Sequence, residues 1–343
     1  MLPESAELLV FAAAALVFTM ICVPAALGRM RLLVQGGAGL VAAVAIALVP
    51  TFDLVLLALC ALGAVDASAG RPFAIRLRAP MVAVAFMTLA LIFLRVEGPD
   101  VLGRFAAVGL VAGLAAAVGL LPYIHPIGDA SDADPTSLVW TAFAGPLLGV
   151  VVVSRAQSML PVDAGAAFAA MLIGVGVLNM AWGAVASWLT ATNGAAWRYS
   201  FLADWGLVLC GFGLTLIDGR RAALLVLFGL MLGRLPLYLA ARDGKEATAE
   251  RPLNLVVAAA LAGAAPFAGF AARVLLLRGA TQLFWPFALA LALLMLLWLP
   301  GSLRLGRSLG APRGRQAIAI AVVLAINIAA GLYPLPLLSA ARL

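Results

Sequence analysis

Lysine and histidine are almost absent from this chain of 343 residues, which has one of each, Lys245 and His125. Charged residues of all kinds make up only 11% of the sequence, whereas soluble domains carry about 25%. These numbers exclude a soluble globular protein, because such a surface cannot be covered with so few charges. They also exclude a relay of lysine and histidine within apolar segments, although these side chains are well suited to carrying protons there.

Cysteine is also scarce. The three cysteines, Cys22, Cys60 and Cys210, lie in apolar runs without CxxC or other metal-ligand spacing, so we expect small buried side chains and no disulfide or zinc site. The sequence has no paired histidines for haem, no Rossmann glycine fingerprint and no phosphate loop. It therefore predicts no metal site, no catalytic residue and no cofactor in this chain, which would not be an enzyme by itself. Any redox cofactors would belong to partner subunits.

Long apolar runs are what the sequence does contain, since 65% of its residues are hydrophobic and its mean hydropathy is +1.13. About twenty apolar residues suffice to cross a bilayer as a helix. The sequence predicts an all-α polytopic membrane protein, one membrane domain over 1–343, with about twelve transmembrane helices. The predicted helices lie near 6–28, 31–50, 53–69, 78–95, 101–122, 135–155, 164–189, 199–217, 221–241, 253–276, 282–300 and 315–338.

The basic residues predict the orientation. If the helices alternate, most basic loops fall on one side, which the positive-inside rule assigns to the cytoplasm, and the N-terminus lies outside a bacterial inner membrane. That side would carry Arg29, Arg31, Arg71, Arg76, Arg78, Lys245, Arg304, Arg307, Arg313 and Arg315. Two loops fit poorly, because aspartates at 129–134 fall on the basic side and Arg220 and Arg221 on the other. Topogenic arginine explains the net charge of +7 without a nucleic-acid partner.

Glycine and proline interrupt two of the predicted helices. The fifth contains Gly113 and runs into Pro122, and the tenth contains Pro266 and Gly269. Broken helices at matching positions of inverted repeats are typical of transporters. Glycine and proline are also common in ordinary membrane helices, so the spacing alone leaves such a repeat open.

A division of the chain into blocks of five helices gives these interruptions a matching position. If 31–157 and 164–300 are two five-helix repeats, each interruption falls in the fourth helix of its repeat. A repeat with an odd number of helices must be inverted in the membrane. The helices 6–28 and 315–338 would then flank the two repeats.

Three stretches of the sequence carry a resemblance to a known family. They are LPYIHP with DPTS and GVVVVSR, which ends at Arg155; RYSFLADWG with LGRLPL, which contain Asp204 and Arg234; and AGAAPFAGFAAR, which ends at Arg273. In order and spacing they resemble the motifs LPDAH, TPVSAL, GVYLIxR, AYSSxxxxG and LPPxSGFxxK of antiporter-like membrane subunits. These subunits occur in respiratory complex I, Mrp sodium/proton antiporters and group 4 membrane hydrogenases. The match covers roughly residues 100–280 of a shortened, divergent member.

The resemblance implies a chain of titratable groups halfway across the membrane, and the departures from it are informative. The family's lysine in the first broken helix falls near Val111, and the next helix offers Thr141 where lysine or histidine is expected. In the second repeat, two lysine positions match Arg234 and Arg273. Arginine is so weak an acid that it keeps its proton, so it cannot pass one on.

The residues that remain as candidates for a proton or ion path are Asp204, Arg234, Arg273, Arg155, His125 and Thr141. We expect Asp204 to pair with the two arginines of its own repeat, because a charge within the membrane needs a partner. The alternative is a static ion pair that only fixes helix packing. His125, in a proline-rich stretch beside three aspartates, would either gate proton entry or cap a turn.

Other polar and aromatic residues are interpreted as structural. Asn179 and Asn327 are expected to form hydrogen bonds between helices. Tryptophans near segment ends are interpreted as the aromatic belt, namely Trp182, Trp188, Trp197, Trp285 and Trp298.

Three functions stay open at the level of sequence. The first is an antiporter-like subunit of a redox-coupled or ion-translocating complex, similar to NADH-quinone oxidoreductase, with a degenerate proton path. Its partners would be other membrane subunits, peripheral redox subunits and lipids. The second is a non-conducting scaffold in such a complex, and the third is an independent small-ion transporter. The missing lysines favour the scaffold, whereas the retained buried charges favour conduction, because a scaffold could replace them with apolar residues.

Overall fold

Helices make up nearly all of the part of the chain that the structure describes. The structure, a computed structural model, describes residues 73–96, 100–123, 159–243, 251–310 and 314–335, with single positions between 37 and 64 and at 153, 156 and 312. Within these ranges lie α1 (Phe73–Arg95), α2 (Asp100–Val118), α3 (Val162–Leu189), α4 (Asn193–Gly213), α5 (Ile217–Gly229), a π-helical turn (Leu230–Arg234), α6 (Leu235–Asp243), α7 (Pro252–Ala262), α8 (Ala268–Leu283), α9 (Trp285–Leu297), α10 (Leu299–Ser308) and α11 (Arg315–Leu332). These ranges contain no β-strand.

Within the part of the chain that the structure describes, five helical stretches are long and apolar enough to cross a membrane. They are Val101–Val118, Val162–Leu189, Ile217–Ala241, Trp285–Ser308 and Arg315–Leu332. The predicted all-α membrane architecture is therefore confirmed. The count of twelve helices stays a prediction, because 6–28, 31–50 and 135–155 lie largely outside the described residues.

Two predicted helices differ from the structure in a way that matters for the site. The segment 253–276 forms two helices, α7 and α8, because the chain turns at Gly263, which has a φ of 64°. The segment 282–300 continues through α9 and α10 to Ser308, so Arg304 lies in a helix and not in a loop. There the Arg304 Nη1 donates to the carbonyls of Trp188 (2.9 Å) and Thr190. It thereby caps the C-terminal end of α3, where a cation is favourable.

The interruption that follows α2 and the one between α7 and α8 share one backbone pattern. Gly119 (φ 79°) and Gly263 (φ 64°) each end a helix, and each lies three residues before a proline. The next residue donates to a carbonyl five positions back, as in Leu120 to Ala115 at 2.8 Å and in Ala264 to Ala259 at 3.0 Å. Glycine is suited to both turns because a positive φ costs it little.

The expected break at Gly113 is wrong in position. α2 is continuous from Asp100 to Val118, and the chain turns only at Gly119, before Pro122. Gly113 instead serves packing between helices, since a Cβ placed there would lie 2.6 Å from Cγ of Met87 in α1. A glycine inside a helix can thus mark a close contact as readily as a break.

α4 is the central helix of the described region. It packs against α3, α5 and α10, and nearly every residue from Ala195 to Gly213 is buried. Glycine lets α3 and α4 approach closely, because a Cβ on Gly206 would lie 2.5 Å from the carbonyl oxygen of Gly176. A helix enclosed in this way holds its side chains at fixed positions, and Asp204 lies near its middle.

A buried charged cavity beside the helix break

Asp204 lies halfway along α4, among the buried residues of that helix. Only 7% of the residue is exposed. Thr192 begins the helix, with its hydroxyl accepting from the backbone N–H of Ala195 at 3.4 Å. A carboxylate at this depth is costly unless it is paired.

Arg234 supplies the pairing. Its Nη2 donates to Oδ1 of Asp204 at 2.9 Å, and its Nε contacts Oδ2. The π-helical turn Leu230–Arg234 carries this arginine inside the long helical stretch from Ile217. Such turns shift the register of the side chains that follow and are frequent at functional sites. The predicted contact between Asp204 and Arg234 is therefore present.

Two further groups contact Arg234, one at the helix break and one between α9 and α10. Because α7 ends at Ala262, the carbonyl of Leu261 has no partner in its own helix. It accepts from Nε1 of Trp298 at 2.9 Å and from Nη2 of Arg234 at 3.4 Å. The Trp298 ring also lies 5.0 Å from Cζ of Arg234, within the range of a cation–π contact.

Arg273 follows the break in α8 and reaches back across it. A Cβ on Gly263 would lie 2.8 Å from Cζ of Arg273, so any other residue there would force the guanidinium to shift. Arg273 interacts electrostatically with both Asp204 and Arg234, although Arg234 holds the direct ion pair. The half-buried Arg273 is thus the second positive charge of one cluster.

The three charged residues line a common cavity of about 50 Å³. A water molecule needs about 10–15 Å³ of such space, so the cavity has room for a few small molecules. α4, α5, the π-helical turn, the break and α11 form its walls. From α11, Asn327 lies against Gly233, where a Cβ would be 3.0 Å from its Nδ2. A charged cavity is therefore assembled from four separate parts of the sequence.

The remaining candidate residues fall into two groups. Arg155, His125 and Thr141 are outside the described residues. Pro266 lies in the turn between α7 and α8, and Gly269 is the second residue of α8, beside the cavity.

Two tryptophans differ from the predicted aromatic belt. Trp298 and Trp197 are 3% and 2% exposed, and both donate hydrogen bonds, Trp197 to Ser308 Oγ at 2.9 Å. Trp182, Trp188 and Trp285 are about half exposed or more, as a belt requires. The belt interpretation failed for the first two because position near a segment end does not reveal which face of a helix is enclosed.

The two asparagines that were expected to link helices differ from each other in the same way. Asn179 of α3 accepts at Oδ1 from the backbone N–H of Leu121 at 3.0 Å, a link between segments as predicted. Asn327 donates to the Val323 carbonyl of its own helix at 3.0 Å and lines the cavity. The sequence indicated that Asn327 was buried and polar, but not that it reached the charged cluster.

The chemistry available here is electrostatic. Two guanidinium groups cannot give up protons, so Asp204 is the titratable group of the cavity among the described residues. The same residues contain no cluster of three or more histidine, cysteine, aspartate or glutamate side chains that could hold a metal. The cavity has space for water or a small ion, and its two guanidinium groups act electrostatically on the carboxylate of Asp204.

The fold is similar to chains of three solved membrane complexes, all at 15% sequence identity. A chain of respiratory complex I from Thermus thermophilus with bound NADH gives a TM-score of 0.75, over 99% of this chain and 84% of that chain. A chain of the Mrp complex from Dietzia sp. DQ12-45-1b gives 0.72, over 99% and 44%. A chain of the membrane-bound sulfane sulfur reductase, an archaeal respiratory membrane complex, gives 0.66, over 92% and 80%. The sequence matches no family model and no curated protein.

These likenesses confirm, at the level of fold, the resemblance to antiporter-like membrane subunits that the sequence motifs indicated. They also agree with a membrane-embedded chain. At 15% identity they concern the fold alone.

Proposed function

We propose that this chain is an antiporter-like membrane subunit of a redox-coupled or ion-translocating complex, and that its proton path is degenerate. The observation that carries the proposal is the ion pair of Asp204 and Arg234, with Arg273 beside it, at the break of a helix in this fold. Buried membrane charges beside broken helices are typical of ion-handling sites. The chain is not catalytic alone, and redox cofactors would be held by partner subunits.

The two-repeat organisation is part of the same proposal. The matching turns at Gly119 and Gly263 support inverted repeats over 31–157 and 164–300, flanked by 6–28 and 315–338. About twelve helices would then make up a single membrane domain over 1–343. The positive-inside rule supports a bacterial inner membrane with the N-terminus outside.

The arginines define how the path would be altered. A lysine releases its proton when its surroundings change, whereas an arginine at Arg234 or Arg273 stays charged. Proton movement at this point would then rest on Asp204 and on water in the cavity. We expect weak or no autonomous pumping, with Arg155, His125 and Thr141 as further candidates along the path.

A non-conducting scaffold is the second candidate function, and the specific observation behind it is the two-point contact within the ion pair. Arg234 binds both carboxylate oxygens of Asp204, which is the arrangement of a static packing contact. The third candidate, an independent small-ion transporter, rests on the broken helix alone.

The test is purification from native membranes in mild detergent, followed by proton translocation in reconstituted vesicles. We compare wild type, Asp204→Asn and the matched control Asp218→Asn, whose carboxylate pairs with Arg278 at 3.2 Å outside the cavity. Our proposal predicts partner subunits that co-elute, and slower translocation only in Asp204→Asn.

Each other outcome points to one alternative. If Asp204→Asn assembles and translocates protons like wild type, Asp204 is not on a proton path and the scaffold is favoured. A chain that elutes without partners would instead support the independent transporter.

A further inference from the structure

The cavity beside the helix break carries an excess of positive charge. Two guanidinium groups, those of Arg234 and Arg273, face one carboxylate, that of Asp204, among the described residues that line it. The C-terminal end of α7 contributes about half a negative charge, which offsets only part of the excess. An uncompensated charge inside a membrane is costly, so the cavity favours an anion.

Donor groups for such an anion are in place. Nη1 of Arg234 is buried and has no hydrogen-bond partner among the described residues, while the rest of its guanidinium is used by Asp204 and Leu261. Arg273 contributes a second guanidinium from the opposite side of the break, held over Gly263. Buried polar groups in folded proteins almost always have partners, so an unpaired donor on a cavity indicates a ligand.

The size of the cavity restricts what the ligand can be. About 50 Å³ holds a few water-sized groups, which suffices for one halide-sized ion and a little water but not for an organic anion. We propose that the cavity binds one small monovalent inorganic anion, such as chloride, between Arg234 and Arg273. This site goes beyond the proposed function, because the anion would neutralise the excess positive charge of the two arginines and would not require proton transfer.

The experiment measures chloride binding to the purified full-length protein, in its complex if partners co-elute. Radioactive chloride is titrated by equilibrium dialysis, with gluconate keeping the ionic strength constant. We expect saturable binding to wild type and at least about tenfold weaker binding to Arg273→Gln, since a full charge near the ion is lost. Arg278→Gln is the matched control, because it removes an arginine of the same helix that is 67% exposed and pairs with Asp218.

Asp204→Asn should change the chloride affinity in the opposite direction. It leaves two positive charges and no carboxylate in the cavity, so chloride should bind more tightly than to wild type. This variant also tests the proposed chloride site if Arg273→Gln does not fold. Absence of saturable chloride binding to wild type would overturn the proposal, as would wild-type affinity in Arg273→Gln or weaker binding in Asp204→Asn. None of these results depends on proton translocation, so the site and the proposed function can fail separately.

Discussion

Replacing Asp204 with asparagine removes the single carboxylate that the described residues place on the cavity, while the side chain keeps its size. The hydrogen bond from Nη2 of Arg234 at 2.9 Å loses its charged acceptor, and the contact at Nε is lost. The remaining acceptor for that Nη2, the carbonyl of Leu261, is 3.4 Å away. Arg234 and Arg273 then repel each other without a negative charge between them.

The expected cost follows from these losses. Removal of one partner of a buried ion pair costs about 3–5 kcal/mol in free energy of unfolding. Because the asparagine amide keeps one oxygen near Arg234, we expect the lower end, about 3 kcal/mol. The control Asp218→Asn should cost about 1 kcal/mol or less, since its closer partner Arg278 is mostly exposed and its other partner, Arg221, is 4.0 Å away.

The assay is equilibrium unfolding in mixed detergent micelles, monitored by tryptophan fluorescence, with gluconate as the anion. Adding Arg273→Gln to Asp204→Asn should recover part of the lost stability, because it removes the repulsion between the two arginines. A loss below about 1 kcal/mol in Asp204→Asn, or further destabilisation in the double variant, would refute the electrostatic reasoning.

Three further predictions concern the packing around the site. Gly206→Ala should lower the free energy of unfolding by about 1–3 kcal/mol in the same assay, because the added Cβ would lie 2.5 Å from a backbone oxygen. The control Gly174→Ala should be close to neutral, because a Cβ there would have no neighbour within 4 Å. Gly263→Ala should destabilise by about 1 kcal/mol or more, through its positive φ and the contact with Arg273; a stability equal to wild type would contradict this conformation. Trp298→Phe should cost about 0.5–1.5 kcal/mol, because the hydrogen bond from its indole is lost; an unchanged midpoint would show that this bond adds nothing.

The residues that carry the charge could be identified from the sequence. Asp204, Arg234 and Arg273 stand out because ionisable residues are rare in long apolar segments, and the second and third motif stretches contain all three. The all-α membrane architecture follows from composition and segment length in the same way. These features are local, so counting along the chain is enough to find them.

The geometry of the pairing could not be read from the sequence. Which arginine binds Asp204 directly depends on the π-helical turn and on the path of α8 across Gly263, and both are set by helix packing. Trp298 was assigned to the aromatic belt because its position near a segment end gave no sign of enclosure. The break expected at Gly113 occurs at Gly119, because a helical glycine serves close packing as well as turns.

The sequence by itself thus determined that the chain crosses a membrane many times and that it carries a few buried charges of fixed type. Only the tertiary structure decided that these charges meet in one cavity, that Arg234 pairs with Asp204, and that Arg273 remains as an excess charge. The physical reason is the range of the interactions. Hydropathy and helix formation act over one segment, whereas an ion pair 30 positions apart exists only after the helices have packed.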